Sequence, residues 1–262
     1  MRDDADAQEM RPDPFSLAGR RAVVTGGSRG LGAAIALGLA RAGADVISLH
    51  RSAGEPPVAA EVHALDHSYL AVQGDLADVD ALPALARQVI AAHGPIDILV
   101  NNAGVTHRQP AAAYPLEKWR AELDTDLTAP FVLCQEFGRP MLERHAGAIV
   151  NITSLMAFQG GFTIPAYAAA KAGLANLTRA LANEWAREGV NVNAVAPGYI
   201  ETEFTAALRA DPVRGRQIGE RIPAGRWGRP EDIAGAVVFL CSPAAAYIHG
   251  HVLAVDGGWL GR

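Results

Sequence analysis

Three residues in the middle of the chain have side chains that can move a proton onto and off an oxygen atom. Tyr167 and Lys171 are four residues apart in a helical stretch, so their side chains lie on one face, one turn apart. A phenol with a pKa of about 10 is a poor acid near neutral pH, but a neighbouring cation lowers that pKa. Ser154 adds a hydroxyl that can polarise a carbonyl oxygen. The set predicts acid/base catalysis of carbonyl reduction or of the reverse alcohol oxidation.

A tyrosine and a lysine at this spacing are also common as an ordinary surface pair, so a second signal is needed. The segment 25–32, Thr-Gly-Gly-Ser-Arg-Gly-Leu-Gly, follows an apolar run and opens a helical stretch. Glycines there allow positive φ and the close approach of a pyrophosphate to the helix N-terminus. This context favours a dinucleotide site. The residues expected to contact the cofactor in this turn are Gly26, Ser28, Arg29, Gly30, Leu31 and Gly32.

The elements that must position these residues alternate between short apolar runs and helical stretches. The predicted strands are 21–25, 45–49, 69–73, 96–100, 148–152, 190–195 and 251–255. The clearest predicted helices are 31–42, 79–92 and 166–187. Such alternation predicts βαβ units and a parallel sheet with helices on both faces. We expect one α/β domain over residues 15–262, preceded by a disordered acidic tail at 1–14.

Two segments depart from the even alternation. The connection between the second and third strands contains Pro56-Pro57, so its helix is expected to be short. The segment 199–228 has weak periodicity and several Gly and Pro residues. It follows the sixth strand on the carboxyl side of the sheet, where we expect it to act as a substrate lid.

Composition argues against several other classes of protein. The chain has 262 residues, of which 50% are hydrophobic, with a net charge of −5 and no basic block that would favour nucleic acid. No apolar run approaches the ~20 residues of a membrane span, and the first residues lack the pattern of a signal peptide. The two cysteines, Cys134 and Cys241, belong to no metal-ligand pattern. These features predict a soluble cytoplasmic protein with no metal, membrane or nucleic-acid partner.

Read together, the motifs resemble those of the short-chain dehydrogenases over residues 15–262. The glycine turn matches the TGxxxGxG pattern of that family, and Asn101-Asn102-Ala103-Gly104 matches its NNAG turn. The resemblance implies a Rossmann-type, doubly wound sheet of about seven strands. It also implies NAD(P) as cofactor, with Ser154 orienting the carbonyl, Tyr167 as acid/base and Lys171 bonding the nicotinamide ribose. The further cofactor contacts that it implies are Asp75, Leu76, Asn102, Ala103, Gly104, Pro197, Gly198, Ile200 and Thr202.

One position of the expected catalytic tetrad departs from the family pattern. Where the family has Asn, this chain has Asp126, in the stretch Asp126-Leu127-Thr128-Ala129-Pro130-Phe131. Asp keeps the main-chain carbonyl through which Asn serves a water chain, but it lacks the amide donor. A carboxylate close to Lys171 would also offset the effect of that cation on Tyr167. We include Asp126 in the predicted catalytic set, with the proton relay left open.

The end of the second strand bears on the choice of cofactor. NAD enzymes of this fold usually place an acid there to bind the ribose 2′-hydroxyl. This chain has Leu49-His50-Arg51 instead. Arg51 and Arg29 can flank a 2′-phosphate with charge-assisted bonds, although either alone is equally typical of a solvated surface. The sequence favours NADP(H), with NAD(H) as the alternative.

The substrate is indicated only by resemblance. Stretches around Gln159, Trp185, Trp227 and Trp259 resemble 2-dehydro-3-deoxy-D-gluconate 5-dehydrogenases, and Val105-Thr106-His107-Arg108 is similar to gluconate 5-dehydrogenases. Both relatives act at C5 of a six-carbon sugar acid. We expect Arg108 to bind the substrate carboxylate, with His107 and Gln159 as further contacts, although exposed loop residues would look the same.

Three alternatives remain open on the sequence. Five arginines in 199–228 would suit a 3-oxoacyl thioester on a carrier, because a carrier would favour a basic entrance. A gluconate 5-dehydrogenase is equally compatible with the resemblance. A non-catalytic, dinucleotide-sensing scaffold is the alternative of another class, although such proteins often lose the Tyr or Lys. The family resemblance also implies a homotetramer, or a dimer, built on the helices flanking the fifth strand and on the C-terminal strand.

Overall fold

The computed structural model describes residues 13–262. The predicted disordered tail, 1–14, therefore lies almost entirely outside the described residues. At its inner end the Pro14 carbonyl accepts a hydrogen bond of 2.9 Å from the Ala244 N–H. None of the described helices is long and apolar enough to cross a membrane.

Seven strands form one parallel sheet in the order β3-β2-β1-β4-β5-β6-β7. Their bounds are β1 Arg21–Thr25, β2 Asp45–His50, β3 Tyr69–Gln73, β4 Ile98–Asn101, β5 Gly147–Ile152, β6 Val190–Pro197 and β7 Val252–Val255. The direction of winding reverses between β1 and β4, which are hydrogen-bonded neighbours. In such sheets a crevice opens beyond the carboxyl ends of the strands at this switch point, and ligands bind there.

Residues 13–262 contain nine α-helices. They are α1 Gly30–Arg41, α2 Val58–His63, α3 Leu82–His93, α4 Leu116–Leu123, α5 Ala129–Glu143, α6 Pro165–Trp185, α7 Ala206–Ala210, α8 Arg214–Arg221 and α9 Pro230–Cys241. Helices α1, α2 and α9 supply side chains to the core on one face. Helices α3, α5 and α6 do so on the other. A π-helical turn, Asp124–Thr128, joins α4 to α5.

The two cores use alternate residues of the same strands. In β1, Ala22 and Val24 face one core and Val23 faces the other, because successive side chains of a strand point to opposite faces. All three are fully buried. A sheet covered on both faces therefore needs nearly continuous apolar strands, which is the pattern in the sequence.

The predicted α/β fold is confirmed, and each predicted strand lies within two residues of its observed bounds. The helix after Pro56-Pro57 is short, as expected, with six residues. The segment 199–228 contains more helix than its periodicity indicated, namely α7 and α8. Both are short, with five and eight residues, and the many Gly and Pro residues around them conceal the pattern.

Candidate active site

The two turns that begin the site are fastened to each other at the sheet switch point. Thr25 ends β1, and its Oγ1 accepts hydrogen bonds from the Asn102 and Ala103 N–H groups at 2.9 and 3.0 Å. The Asn102 amide in turn donates to the Thr25 carbonyl at 2.9 Å. The glycine turn and the NNAG turn therefore form one rigid floor at the carboxyl ends of β1 and β4.

The glycine turn has the shape that a pyrophosphate needs. Gly26 has φ +66°, and a Cβ on it would lie 3.2 Å from the Ala103 Cα. A Cβ on Gly32 would lie 2.1 Å from the Gly26 carbonyl oxygen, so only glycine fits there. The first turn of α1 has no side-chain cap and no acidic residue. Its free N–H groups and positive dipole end fit an anionic group of a dinucleotide.

Three side chains support this turn from below. Tyr69, which is buried, donates through its hydroxyl to the Gly27 carbonyl at 3.1 Å. A Cβ on Gly27 would lie 2.7 Å from the Ser48 Oγ, which is hydrogen-bonded to His50 Nδ1 at 2.9 Å. His50 Nε2 is buried without a hydrogen-bond partner among the described residues. The end of β2 thus supports the glycine turn through Ser48 and His50.

The predicted adenosine contacts lie around the same edge. Arg51 is exposed and makes no ion pair with the described residues, whereas Arg29 pairs with Glu203 at 2.9 Å. Both members of that pair are more than three-quarters exposed, so the pair adds little stability. Asp75 follows β3 and accepts a hydrogen bond from the Ala77 N–H, while Leu76 beside it is buried.

The acid/base candidates meet where β5 and α6 approach each other. Ser154 stands two residues beyond the end of β5, and its Oγ accepts a hydrogen bond of 3.3 Å from the Met156 N–H. Tyr167 and Lys171 occupy the first two turns of α6. The Lys171 Nζ lies 5.5 Å from the centre of the Tyr167 ring. The Tyr167 ring also faces Phe204 of the insertion, with ring centres 6.0 Å apart.

Lys171 is held from two sides. Its Nζ donates to the Ile152 carbonyl at 3.1 Å and lies 3.2 Å from Asp126 Oδ2. Asp126 Oδ1 accepts a hydrogen bond of 2.8 Å from the Val105 N–H. Asp126 is 0% and Lys171 3% exposed. The substitution found in the sequence therefore places a carboxylate directly against the lysine.

Burial and this ion pair together set the proton affinities. Burial holds the pKa of Tyr167 above its usual value, and Asp126 raises it further. Lys171, Ser154 and Arg108 lower it, but they do not outweigh burial, so the lowering expected from the cation alone is not reached. Burial lowers the pKa of Lys171, but Asp126 and Tyr167 outweigh it and hold that pKa above its usual value. Burial raises the pKa of Asp126, against the opposing effects of Lys171 and the Val105 N–H. The lysine therefore keeps its charge in the interior.

The loop after the NNAG turn, 105–114, is braced by a carboxylate that the sequence did not reveal. Buried Glu122 of α4 accepts hydrogen bonds from the His107 N–H and from the Tyr114 hydroxyl. Burial raises the pKa of Tyr114, and its bond to Glu122 raises it further. The His107 ring packs edge-on against Tyr114, and its Nε2 is hydrogen-bonded to Gln109 at 3.2 Å. His107 is thus engaged within its own loop.

Arg108 follows His107 in the chain but, unlike His107, its side chain has no partner within the loop. It is exposed and forms no ion pair with the described residues. Its charge nevertheless reaches the phenols of Tyr167 and Tyr199 and lowers the pKa of each. Arg108 is therefore the free cation of this loop, close to the acid/base set.

Gln159 contacts an aromatic cluster formed by Trp259, Tyr199 and Trp227. Its Oε1 accepts a hydrogen bond of 3.3 Å from the Trp259 indole. The centre of the Tyr199 ring lies 4.6 Å from the centre of the Trp259 ring and 5.4 Å from that of the Trp227 ring. The Arg221 guanidinium stacks 3.9 Å above Trp259. Trp227 packs against Tyr199, and Tyr199 joins Trp227 to Trp259 in one aromatic cluster that the sequence did not predict.

The insertion 199–228 closes on itself at its base. The Glu201 N–H donates to the Gly228 carbonyl at 2.8 Å, and the Gly228 N–H donates to the Tyr199 carbonyl at 2.9 Å. Arg226 fastens the base to α9 through two bonds to Asp232, at 2.6 and 3.0 Å. The predicted contacts Ile200 and Thr202 lie at the entrance of the insertion, where Thr202 caps the short turn Glu203–Thr205.

The segment leading into the insertion is tightly packed. Pro197 ends β6, and a Cβ on Gly198 would lie 2.6 Å from the Asp256 Cα. A cavity of about 260 Å³ opens beside it, lined by Tyr199, Ile200, Ile222, Arg226, Asp256 and Gly257 among others. The insertion therefore rests on the segment after β7 and roofs the same edge of the sheet.

Two residues near the site, Glu122 and Tyr199, could not be predicted from the sequence. Glu122 lies in a polar helix, α4, where a glutamate is typical of the solvent face. Tyr199 follows the Pro197-Gly198 pair but carries no spacing signal of its own. Nothing in the sequence distinguishes either residue from its neighbours.

Comparison with known proteins identifies the family. A family model described as Enoyl-(Acyl carrier protein) reductase, one of those for the short-chain dehydrogenases, matches residues 26–260. A 2-dehydro-3-deoxy-D-gluconate 5-dehydrogenase of Pseudoalteromonas atlantica is 50% identical over 252 residues, covering 95% of this chain and 99% of the relative. The chain belongs to the short-chain dehydrogenase/reductase family. It is an NAD(P)-dependent oxidoreductase that acts on a CH–OH donor.

Solved structures agree with this assignment. A candidate NAD(P) dependent gluconate 5-dehydrogenase from Beutenbergia cavernae, with bound NADP, is 53% identical with a TM-score of 0.92. A candidate 2-deoxy-D-gluconate 3-dehydrogenase from Agrobacterium tumefaciens, also with bound NADP, is 50% identical with a TM-score of 0.90. Each match covers 95% of this chain and 100% of the other. The Rossmann-type fold predicted from the sequence is confirmed.

Proposed function

We propose that this enzyme transfers a hydride between NADP(H) and C5 of a six-carbon sugar acid of the 2-dehydro-3-deoxy-D-gluconate type. The observation that carries the proposal is the position of Arg108, a free cation close to the acid/base set. A sugar acid brings one fixed negative charge several carbons from the reacting carbon, and guanidinium can hold it with two parallel bonds. The names of the most similar relatives support the same substrate class.

The proposed chemistry uses three side chains of the chain itself. The nicotinamide, when bound, supplies or accepts the hydride. In reduction, the Ser154 hydroxyl holds the carbonyl oxygen and the Tyr167 hydroxyl gives its proton to the oxygen as the alkoxide forms. In oxidation, the Tyr167 phenolate takes the proton from the substrate hydroxyl. Lys171 stabilises that phenolate and has an N–H to offer to the nicotinamide ribose.

The cofactor contacts are proposed from the fit of the cleft. The turn Gly26–Gly32 and the N-terminus of α1 would hold the pyrophosphate. Leu76, Asn102, Ala103 and Gly104 would line the adenosine and nicotinamide ribose positions, and Ile200 and Thr202 would reach the carboxamide. The absence of an acid at the end of β2, together with exposed Arg51, supports NADP(H).

The substrate contacts can be ordered by their freedom to bind. Arg108 has no competing ion pair within the described chain, whereas the ring of His107 is already bonded to Gln109. Gln159 bonds Trp259 through its oxygen, which leaves its amide N–H groups for a hydroxyl of the sugar acid. We therefore rank Arg108 first, Gln159 second and His107 last.

The arginine-rich insertion supports an acyl thioester less well than the sequence alone did. Arg209, Arg216 and Arg226 are each paired with an acidic residue, at 3.8, 3.6 and 2.6 Å. Arg221 is stacked on Trp259. Arg214 is the arginine of the five with neither an ion pair nor an aromatic partner among the described residues, whereas the exposed pairs of Arg209 and Arg216 hold those side chains weakly.

The assembly and location are also proposals. We propose a homotetramer, since Phe131 on α5 and Tyr247 near β7 are large apolar side chains left exposed where the family resemblance places the interfaces. Cys134 and Cys241 are both free and buried, which is compatible with a reducing cytoplasm.

A turnover screen tests the substrate and cofactor together. Purified enzyme would be assayed with 2-dehydro-3-deoxy-D-gluconate, gluconate, a 3-oxoacyl thioester and a neutral polyol, each with both nicotinamides. The highest kcat/KM is expected for a six-carbon sugar acid with NADP(H). A higher value for the thioester or the polyol would overturn the proposal.

A further inference from the structure

Asp126 and Lys171 form a buried ion pair directly beside Tyr167. Their atoms Oδ2 and Nζ are 3.2 Å apart, and both side chains are almost inaccessible to water. We propose that Asp126 is a positioning residue that sets the pH range of Tyr167 by holding Lys171 in a pair of zero net charge. This proposal rests on the acid/base role proposed for Tyr167.

The donor count of Lys171 supports this role. An ammonium has three N–H groups. One donates to the Ile152 carbonyl, and the ion pair with Asp126 Oδ2, 3.2 Å away, draws a second toward the carboxylate. One N–H is left for a cofactor ribose, so the carboxylate fixes which way that last donor points. A lysine without Asp126 would have two free donors and an ammonium head free to rotate.

The charges around Tyr167 indicate the direction of the effect. It is faced by Lys171 from α6, Asp126 from the π-helical turn, Arg108 from the loop after β4 and the Ser154 hydroxyl after β5. Phe204, from the insertion, is uncharged. An isolated ammonium would lower the pKa of the phenol, and a carboxylate 3.2 Å from that ammonium opposes this effect.

The surroundings make the pair rigid and dry. A Cβ on Gly104 would lie 2.9 Å from Asp126 Oδ2 and 3.3 Å from Lys171 Nζ, so the NNAG backbone closes that side. The Val105 N–H fixes the other carboxylate oxygen at 2.8 Å. Asn at position 126 can keep this bond through its side-chain oxygen. The variant Asp126→Asn therefore keeps the shape but removes both the charge and the acceptor that faces Lys171, because the amide nitrogen replaces Oδ2 and cannot accept a hydrogen bond.

The first test is the pH dependence of kcat/KM for alcohol oxidation at saturating cofactor. Oxidation needs the phenolate, so kcat/KM rises as the pH passes through the pKa of Tyr167. In Asp126→Asn the rising limb is expected about one pH unit or more lower than in wild type. The matched control is Asp124→Asn, which makes the same charge change on the same turn without an ion pair to Lys171, and should superimpose on wild type. Superimposable profiles for Asp126→Asn and wild type would overturn the proposal.

The second test needs no substrate. Tyrosinate absorbance is titrated in the cofactor-bound protein, and the curve of the matching Tyr167→Phe protein is subtracted, which leaves Tyr167 alone. The pH midpoint of the Tyr167 titration should be lower in Asp126→Asn than in wild type. Equal midpoints would contradict the role proposed for Asp126. A shifted midpoint without turnover of any sugar acid would sink the proposed substrate but not this role. If Asp126→Asn does not fold, by circular dichroism, Asp126→Ser gives the same comparison.

Discussion

The glycine turn after β1 and the insertion 199–228 lie at the same edge of the sheet, yet they present different chemistry. The turn offers backbone N–H groups, and it is packed so closely around Gly26 and Gly32 that neither position has room for a side chain. The insertion offers aromatic rings and guanidinium groups, held by Trp227, Trp259 and their neighbours. A site made of backbone groups depends on the spacing of glycines along the chain. A site made of side chains depends on which residues the tertiary fold brings into contact. The first can be predicted from sequence, and the second requires the structure.

The largest expected effect separates the chemistry from cofactor binding. Tyr167→Phe should lower kcat by about 10²–10⁴-fold or more, because the ring packs alike but has no proton to give. Cofactor affinity, measured by fluorescence titration, should be unchanged because the glycine turn is intact. An unchanged kcat would remove Tyr167 from its role.

The next change attacks the backbone site. Gly32→Ala puts a methyl group against the Gly26 carbonyl, which should weaken cofactor binding by about 3 kcal/mol, or roughly 150-fold. Gly30→Ala is the matched control: its Cβ meets nothing within 4 Å, and only the positive φ of +54° opposes it. Calorimetric affinities that fall equally for both variants would show that strain, not space, governs the turn.

Arg108→Ala tests the side-chain half of the comparison. Removing the guanidinium should lower kcat/KM for a sugar acid by an amount equivalent to about 1.5–3 kcal/mol of transition-state stabilisation. This is the range for a hydrogen bond to a charged group. A neutral ketone of similar size should be turned over almost as before. Equal losses on both substrates would mean that Arg108 shapes its loop and does not bind the carboxylate.

The smallest expected effect concerns cofactor choice. Arg51→Asp restores an acceptor for the 2′-hydroxyl and deletes a partner of the 2′-phosphate, so the ratio of kcat/KM for NADP(H) to that for NAD(H) should fall about tenfold. Steady-state assays with both cofactors measure it. A wild-type enzyme that already prefers NAD(H) tenfold would refute the assignment.

The separation of contacting residues along the chain explains which features could be predicted from the sequence. The strands were predictable because apolar runs end at turn residues, and the Tyr167–Lys171 pair because helical spacing is local. The contact of Asp126 with Lys171 joins residues 45 positions apart through a π-helical turn, so the family resemblance could suggest it but periodicity could not. The bond between Gln159 and Trp259 spans 100 positions. Such pairings follow from tertiary packing alone.

The base of the insertion has a consequence for how such an enzyme changes its specificity. Backbone hydrogen bonds of Gly228 with Tyr199 and Glu201 join the two ends of the insertion. The insertion is therefore attached to the sheet in the same way whatever residues lie between these ends. Doubling the length of a closed loop costs only about 0.6 kcal/mol. We therefore expect the segment beyond Thr202, up to Gly228, to be exchangeable, so that new substrates can be acquired while the cofactor contacts and the strands beneath them stay the same.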